Sequence, residues 1–297
     1  MSLIYLTGST GFVGTSFIKY FDKKNLVIHK RGQNFNIDSA KIVIHLVGKA
    51  HDIKKTSNSD EYYQVNTELT KKVFDAFLTS NAKVFITLSS VKAVADKVDC
   101  VLTEEYIPNP TTHYGRSKLL AEQYILSKEI PEGKRVYILR PCMIHGPGNK
   151  GNLNLLYKFV SKGIPWPLGS FNNKRSFCSI DNLIFIIKEL IDREGIPSGV
   201  YNVADDKALS TNEVILILTE SQNKKPKIWK VPKGLIKSFS KLGDILSLPL
   251  TTERLQKLAE SYEVSNQKIK FAIEKDLPVS AKDGLLKTFN SFYTNAK

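Results

Sequence analysis

The chain has 297 residues, 42% hydrophobic and 24% charged, which is enough apolar material for a large core and excludes a disordered or low-complexity protein. Its formal net charge of +14 favours anionic partners: phosphorylated small molecules, nucleic acid or an acidic membrane surface. Three widely separated cysteines, Cys100, Cys142 and Cys178, fit buried thiols in a reducing compartment rather than a disulfide frame.

No apolar run reaches the ~20 residues of a membrane span and the first strand begins at once, so a cytoplasmic protein without a targeting segment is expected. Leu3 to Thr7 is a β-prone run that passes into G-S-T-G-F-V-G and then a helical pattern at Phe12, Ser16, Phe17, Tyr20 and Phe21. Strand, glycine turn and helix are predicted in that order. Gly8, Gly11 and Gly14 allow a tight turn, close approach of a pyrophosphate and close helix packing, while the helix N-terminus offers free N–H donors. The spacing is G-x-x-G-x-x-G, not G-x-G-x-x-G. A second strand, Leu26 to His29, runs into Lys30 and Arg31, where many dinucleotide-binding folds place an acidic residue. Two cations there suit the 2′-phosphate of NADP; the plain alternative is a solvated basic turn. A short segment to Asp38 precedes a third strand, Lys41 to Val47, and a full helix in this part of the chain is missing or reduced.

Ser59 to Ser80 has the spacing of a long amphipathic crossover helix, followed by a buried strand, Lys83 to Leu88, that ends in Ser89-Ser90. Ligands of open parallel sheets lie beyond the carboxyl ends of the strands, so this serine faces the crevice of the glycine turn. Thr111 to Gln123 predicts a helix capped by Thr111 or Thr112, in which Tyr114 and Lys118 share a face. An ammonium beside a phenol lowers the phenol pKa from about 10, and such a pair can pass a proton to or from a hydroxyl. Alone, Y-x-x-x-K is an ordinary surface pair; its weight comes from the other motifs.

Taken together, T-G-S-T-G-F-V-G at the start, H-L-V-G at 45–48, V-N at 65–66, L-S-S-V-K at 88–92, Y-G-R-S-K at 114–118 and R-P-C-M-I-H-G-P-G at 140–148 resemble the extended short-chain dehydrogenase/reductase family. More narrowly, the chain is similar to the nucleotide-sugar epimerases and 4-ketoreductases of surface-polysaccharide synthesis, over nearly its full length. The resemblance implies an α/β Rossmann-type doubly wound parallel sheet at 1–147 and a mainly substrate-binding α/β region at 148–297, part of which can return to the first. It also implies a catalytic set of Ser90, Tyr114 and Lys118. Cofactor contacts are expected at Gly8, Thr10, Gly11, Phe12, Val13, Gly14, Lys30, Arg31, Leu46, Val47, Gly48, Asn66, Tyr114, Lys118 and Pro141. Two departures stand out: Ala93-Val94-Ala95 replaces the frequent V-Y-G, and the second strand lacks its acidic residue.

After a strand at Arg135 to Leu139, Arg140-Pro141 is expected to break regular structure and Gly146-Pro147-Gly148 to open the substrate-binding part. By resemblance, Asn152 and Arg175 contact the sugar diphosphate, with Ser90 on the sugar, and Arg175 has the planar fork for a diphosphate. Asp181 is expected to cap the helix Asn182 to Asp192. A strand at Val200 to Val203, a helix at Thr211 to Ser221, a strand at Lys227 to Val231 and a terminal helix at Ala281 to Tyr293 complete the reading. Pro232 to Leu258 is basic and amphipathic, which fits a solvated helix packed on the small domain; the alternative is contact with an anionic membrane surface.

These expectations converge on hydride transfer at a sugar C4, with a UDP-hexose or UDP-N-acetylhexosamine as substrate, NAD or NADP as cofactor, no metal and a homodimeric assembly. Relatives that dehydrate sugars need an acidic pair where Val91 and Lys92 stand, which leaves 4-epimerase and 4-ketoreductase. Lys30 and Arg31 tilt the reading toward the reductase and NADP. A lipid-diphosphate-sugar 4-epimerase is a further variant. A non-catalytic scaffold or RNA-binding protein is the reading from another class; intact Ser90, Tyr114 and Lys118 oppose it, and the spread of basic residues points away from nucleic acid.

Overall fold

A computed structural model describes residues 2–49, 58–149, 151–246 and 250–294. Strand β1 (Ile4–Thr7) turns through the glycines into α1 (Phe12–Tyr20), and β2 (Leu26–Ile28) and β3 (Ile42–His45) follow with no α-helix between them among the described residues. Next come α2 (Ser59–Tyr62), a π-helical turn (Tyr63–Glu68), α3 (Leu69–Thr79), β4 (Val84–Leu88), α4 (His113–Leu126) and β5 (Arg135–Pro141). The chain then forms β6 (Met143–His145), α5 (Asn152–Ser161), β7 (Phe177–Ser179), α6 (Ile180–Asp192), β8 (Gly199–Val203) and α7 (Thr211–Ser221). It ends in α8 (Lys233–Leu246), α9 (Thr252–Ala259), α10 (Gln267–Ile273) and α11 (Ala281–Thr294).

Six parallel strands in the order β2-β1-β3-β4-β5-β8 make the main sheet. Every residue of β1 and β3 is buried, as near-continuous apolar runs require when helices cover both faces. Alternation sorts the side chains. Ile4, Leu6, Ile42, Ile44, Val84 and Ile86 face one core with Phe17 of α1 and Ile187 of α6. Tyr5, Val43 and Phe85 face the other with Val73, Phe74 and Phe77 of α3 and Ile125 of α4. The strand order reverses between β1 and β3, so the crevice for a ligand opens at the carboxyl ends of these two strands. A second core, with Leu153, Trp166, Phe177, Leu218, Leu285 and Phe289, supports a smaller unit around the parallel pair β6 and β7.

Several local expectations are corrected. The long helix at 59–80 is interrupted by the π turn, which brings Asn66 and Thr67 together onto α4: Asn66 Nδ2 donates to Ser117 Oγ at 3.0 Å and Thr67 Oγ1 to the Ser117 carbonyl at 2.8 Å. Arg140-Pro141 does not break β5; both residues stay in register with β8, opposite Asn202 and Val203. A proline at the last strand position removes only one donor. Ser179, not Asp181, caps α6, and Asp181 instead accepts from Tyr20 and from Lys287 across the surface. Lys227 to Val231 forms only isolated bridges, Ile228 with Trp166 and Lys230 with Leu168. Cys100 is exposed, whereas Cys142 and Cys178 are buried.

An arginine–glutamate pair lies at depth in the fold. Arg140, 5% exposed, and Glu122, 1% exposed, lock β5 to α4 through Nε bonds of 3.0 and 3.1 Å and an Nη2 bond of 2.5 Å. Removing one partner leaves the other charge buried alone. Glu122→Ala should therefore lower unfolding stability by about 3–5 kcal/mol in urea titrations, a loss that the double variant Glu122→Leu/Arg140→Met largely restores. An effect within about 0.5 kcal/mol of wild type, as surface substitutions show, would contradict this assignment.

Candidate active site

The glycine turn is dictated by close approach. Gly8 has φ +76°, and a Cβ there would meet the Leu46 carbonyl carbon at 2.6 Å. A Cβ on Gly14 would stand 2.1 Å from the Gly8 carbonyl oxygen, so α1 lies directly on the turn. Gly11 caps α1 without a side-chain hydrogen bond, leaving N–H groups at the helix start aimed past β1. Thr10 and Gly11 are exposed on this turn, while Phe12 and Val13 are half-buried against the sheet core. Leu46, Val47 and Gly48 leave β3 beside it, and Leu46 N–H still donates to the Thr7 carbonyl at 3.2 Å. The buried His45 bridges Thr7 and Thr70 at 2.7 and 3.0 Å, and burial pushes its pKa down to about 3, so it ties β1, β3 and α3 together as a neutral ring.

Across the crevice stands α4. Thr112 is its cap, accepting from Gly115 N–H at 3.1 Å. Asp96 sits under the same end; burial pushes its carboxyl up, but bonds from Thr111 and Thr112 outweigh this and hold it below its ordinary value. The helix presents Tyr114 and Lys118 on one face toward the end of β4. Lys118 is 6% exposed and its Nζ donates to the Leu88 carbonyl at 2.8 Å. Burial lowers its pKa to about 8, against a smaller upward pull from Glu122. A Cβ on Gly48 would lie 3.0 Å from that Nζ and 3.5 Å from Asn66 Oδ1, so the β3 exit, the π turn and the lysine converge.

Tyr114 behaves differently from the sequence expectation. Its phenol is raised, not lowered, because burial outweighs the hydrogen bond from Ser90 that pulls the other way. Lys118 gives one of its ammonium hydrogens to the Leu88 carbonyl. Ser90 itself is 8% exposed and accepts from Lys92 N–H at 3.2 Å at the start of a short turn, Val91–Ala93. Ser90, Tyr114 and Lys118 thus meet at the carboxyl end of β4, next to Pro141 at the end of β5.

The remaining expected residues fall into distinct places. Asn66 is fully buried and holds the β3 exit, accepting from Lys49 N–H at 2.8 Å and donating to the Lys49 carbonyl at 3.1 Å. Lys30 and Arg31 are exposed just beyond β2. Asn152 is the exposed first residue of α5. Arg175 is half-buried; its backbone bridges Leu209 in both directions at 2.9 Å, and Nη1 donates to the Lys257 carbonyl at 2.5 Å. Burial lowers its pKa, against a smaller upward pull from Glu260. Sequence reasoning missed Asp96 and the Glu122–Arg140 pair. The one available signal was Glu122 standing four residues after Lys118, an acid on the helix face that enters the protein. Lys92 was seen only as a non-acid: its Nζ donates to the Asp96 carbonyl at 2.7 Å and lies 3.9 Å from the Tyr262 ring centre. Among the described residues no group of three or more His, Cys, Asp or Glu could hold a metal ion.

A Rossmann-type crevice with a glycine turn on one side and a Ser, Tyr and Lys set on the other defines a dinucleotide-binding enzyme class. Residues 4–204 match the model of the NAD dependent epimerase/dehydratase family, and the chain belongs to that family. It is 33% identical to a UDP-glucose 4-epimerase of Vibrio cholerae over 267 residues, 80% of this chain and 81% of that one. It is 28% identical to an N-acetyl-alpha-D-glucosaminyl-diphospho-ditrans,octacis-undecaprenol 4-epimerase of Escherichia coli O157:H7, covering 82% and 80%. A UDP-N-acetylglucosamine 4-epimerase structure from Bacillus cereus superposes with a TM-score of 0.77 at 18% identity, over 99% of this chain and 100% of that one.

The cradle makes a direct test of dinucleotide binding. Gly14→Ala should abolish nicotinamide-cofactor binding in fluorescence titrations, because its methyl must displace the Gly8 carbonyl that forms the turn. Retained affinity would show that the dinucleotide does not use this turn.

Proposed function

We propose that the protein oxidises and re-reduces C4 of a UDP-hexose or UDP-N-acetylhexosamine, acting as a nicotinamide-dependent 4-epimerase of polysaccharide synthesis. The observation that carries this reading is the convergence of Ser90, Tyr114 and buried Lys118 at the strand ends opposite the glycine turn. The two named relatives, both 4-epimerases, support the choice of reaction. The residues fit a dinucleotide: Gly8, Gly11 and Gly14 place no side chain where the backbone of the turn would approach a pyrophosphate, and the start of α1 offers it N–H donors.

A bound nicotinamide would supply the acceptor and donor of hydride. The chain's own part is the proton. Tyr114, raised by burial, is held as a phenol and can give its proton to a sugar C4 ketone oxygen; in the opposite direction the resulting phenolate takes the C4 hydroxyl proton back. Ser90, hydrogen-bonded to the phenol, lowers the cost of that phenolate and would donate to the same sugar oxygen. Lys118 supplies positive charge to this end of the crevice, which also favours the phenolate. Gly11, Phe12 and the β3 exit would line the dinucleotide, and Arg175, with Asn152, would meet the sugar diphosphate.

The Tyr114→Phe variant keeps the ring and removes the transferable proton. Its turnover of UDP-glucose or UDP-N-acetylglucosamine should fall by about 10²–10⁴ with cofactor binding preserved. Wild-type turnover would remove Tyr114 from the mechanism.

A 4-ketoreductase is the second reading, favoured by the exposed Lys30 and Arg31 beyond β2, which suit the 2′-phosphate of NADP. An epimerase regenerates its cofactor and has no need of NADPH, whereas a reductase consumes one reduced cofactor per turnover. Under the second reading NADPH binds at least tenfold, or ~1.4 kcal/mol, more tightly than NADH, and Lys30→Ala/Arg31→Ala erases that preference. Under the first, interconversion of two C4 epimers proceeds with NAD alone, and the double substitution leaves the rate unchanged.

A further inference from the structure

Helix α8 carries three stripes. Ile236, Ser240 and Gly243 are buried against the small unit. Leu235, Phe239, Leu242 and Leu246 recur at i, i+4, i+7 and i+11, so they share a second face, and it is exposed: Leu235 by 65%, Phe239 by 52%, Leu242 by 46% and Leu246 by 58%. Ile245, 79% exposed, stands at its border. Lys233, Lys237 and Lys241 form the third stripe, also exposed. The outward half of the helix therefore shows hydrocarbon and ammonium groups side by side, while its Ile236 face packs on the small unit.

The segment leading into α8 extends the charge. From Ser221 to Gly243 the chain holds seven lysines and no acidic residue, and Trp229 in their midst is 59% exposed. Scattered exposed leucines are ordinary; a continuous stripe flanked by lysines and a tryptophan is not, and the one acid of α8, Asp244, spends its carboxylate on the N–H and hydroxyl of Thr252. We propose that α8 lies on an anionic membrane surface, its Leu/Phe stripe at the acyl boundary and the lysines at the lipid headgroups. The lysines discriminate between occupants. A second copy pairing through this face would set lysine stripe near lysine stripe, and a nucleic acid would leave the hydrocarbon uncovered. Among the described residues no helix is long and apolar enough to cross a membrane, so attachment is to one surface only.

The test uses the full chain and sucrose-loaded vesicles, either of phosphatidylcholine alone or of phosphatidylcholine with phosphatidylglycerol as the anionic lipid. Co-sedimentation is expected with the mixed vesicles and at least about tenfold weaker with the neutral ones, falling about tenfold or more between low and high salt. Leu235→Ser/Phe239→Ser/Leu242→Ser and, separately, Lys233→Gln/Lys237→Gln/Lys241→Gln should each release the protein while circular dichroism and epimerase turnover stay unchanged. Absence of sedimentation, equal binding to both vesicles, or wild-type binding by either variant would overturn the proposal. So would ultracentrifugation in which the apolar variant converts a dimer to a monomer, since that outcome gives the face to a second copy. Vesicle binding needs no turnover, so its failure leaves the C4 reading intact, and the converse also holds.

Discussion

An ammonium group held inside the protein is the constraint around which this structure is arranged. Lys118 is almost wholly buried, and burial pulls its pKa down to about 8. Two features oppose it: the Leu88 carbonyl that takes its hydrogen bond, and the carboxylate of Glu122 one helical turn on. That carboxylate is itself buried and needs a partner, which Arg140 provides from the end of β5. The charges thus form a chain from the crevice to the back of α4. Each member makes the next tolerable, and together they fix where the helix, and so Tyr114, can sit.

The same helix is fixed by polar contacts as well as by the packing of Ile125 against α3. Asp96 and Thr112 satisfy its first turn, while Asn66 and Thr67 reach Ser117 from the π turn. A regular α-helix at 63–68 would place successive residues about 100° apart on its own cylinder, and the wider turn changes which of them face α4. Asn66 also binds both backbone groups of Lys49, so the loop beyond β3 and α4 share one side chain. A shift of α4 would be felt at the glycine turn, because the β3 exit crowds Gly8.

Much of this was legible in the chain. The runs I-Y-L-T, I-V-I-H and V-F-I-T-L read as strands buried on both faces, the glycines at 8, 11 and 14 announced a turn against a helix, and Tyr114 and Lys118 fell on one face by spacing alone. What remained hidden were the terms that depend on distant partners. Sequence spacing suggested that the lysine would lower the tyrosine pKa; burial reverses the direction, and burial is a property of the assembled crevice. Arg140 was read as a break because proline follows it, yet its side chain is anchored to a glutamate 18 residues earlier in the chain. No local pattern distinguishes a serine that caps α6 from the aspartate two residues later, and the choice fell to Ser179 because Asp181 is drawn off to Tyr20 and Lys287.

Helix α8 shows the same limit in its sharpest form. Periodicity establishes that a helix has an apolar side, and a globular protein normally turns that side inward. In α8 the apolar residues are too many for one stripe, since Leu235 and Ile236 are adjacent and point about 100° apart. One of the two directions must face away from the core. The structure buries the direction with the smaller residues, Ser240 and Gly243 beside Ile236, which lets α8 approach the small unit closely. The larger side chains are left outside as a consequence. Small residues set the distance at which the helix packs, and the bulky Leu/Phe stripe, lying beside lysines, is what that choice turns toward the surroundings.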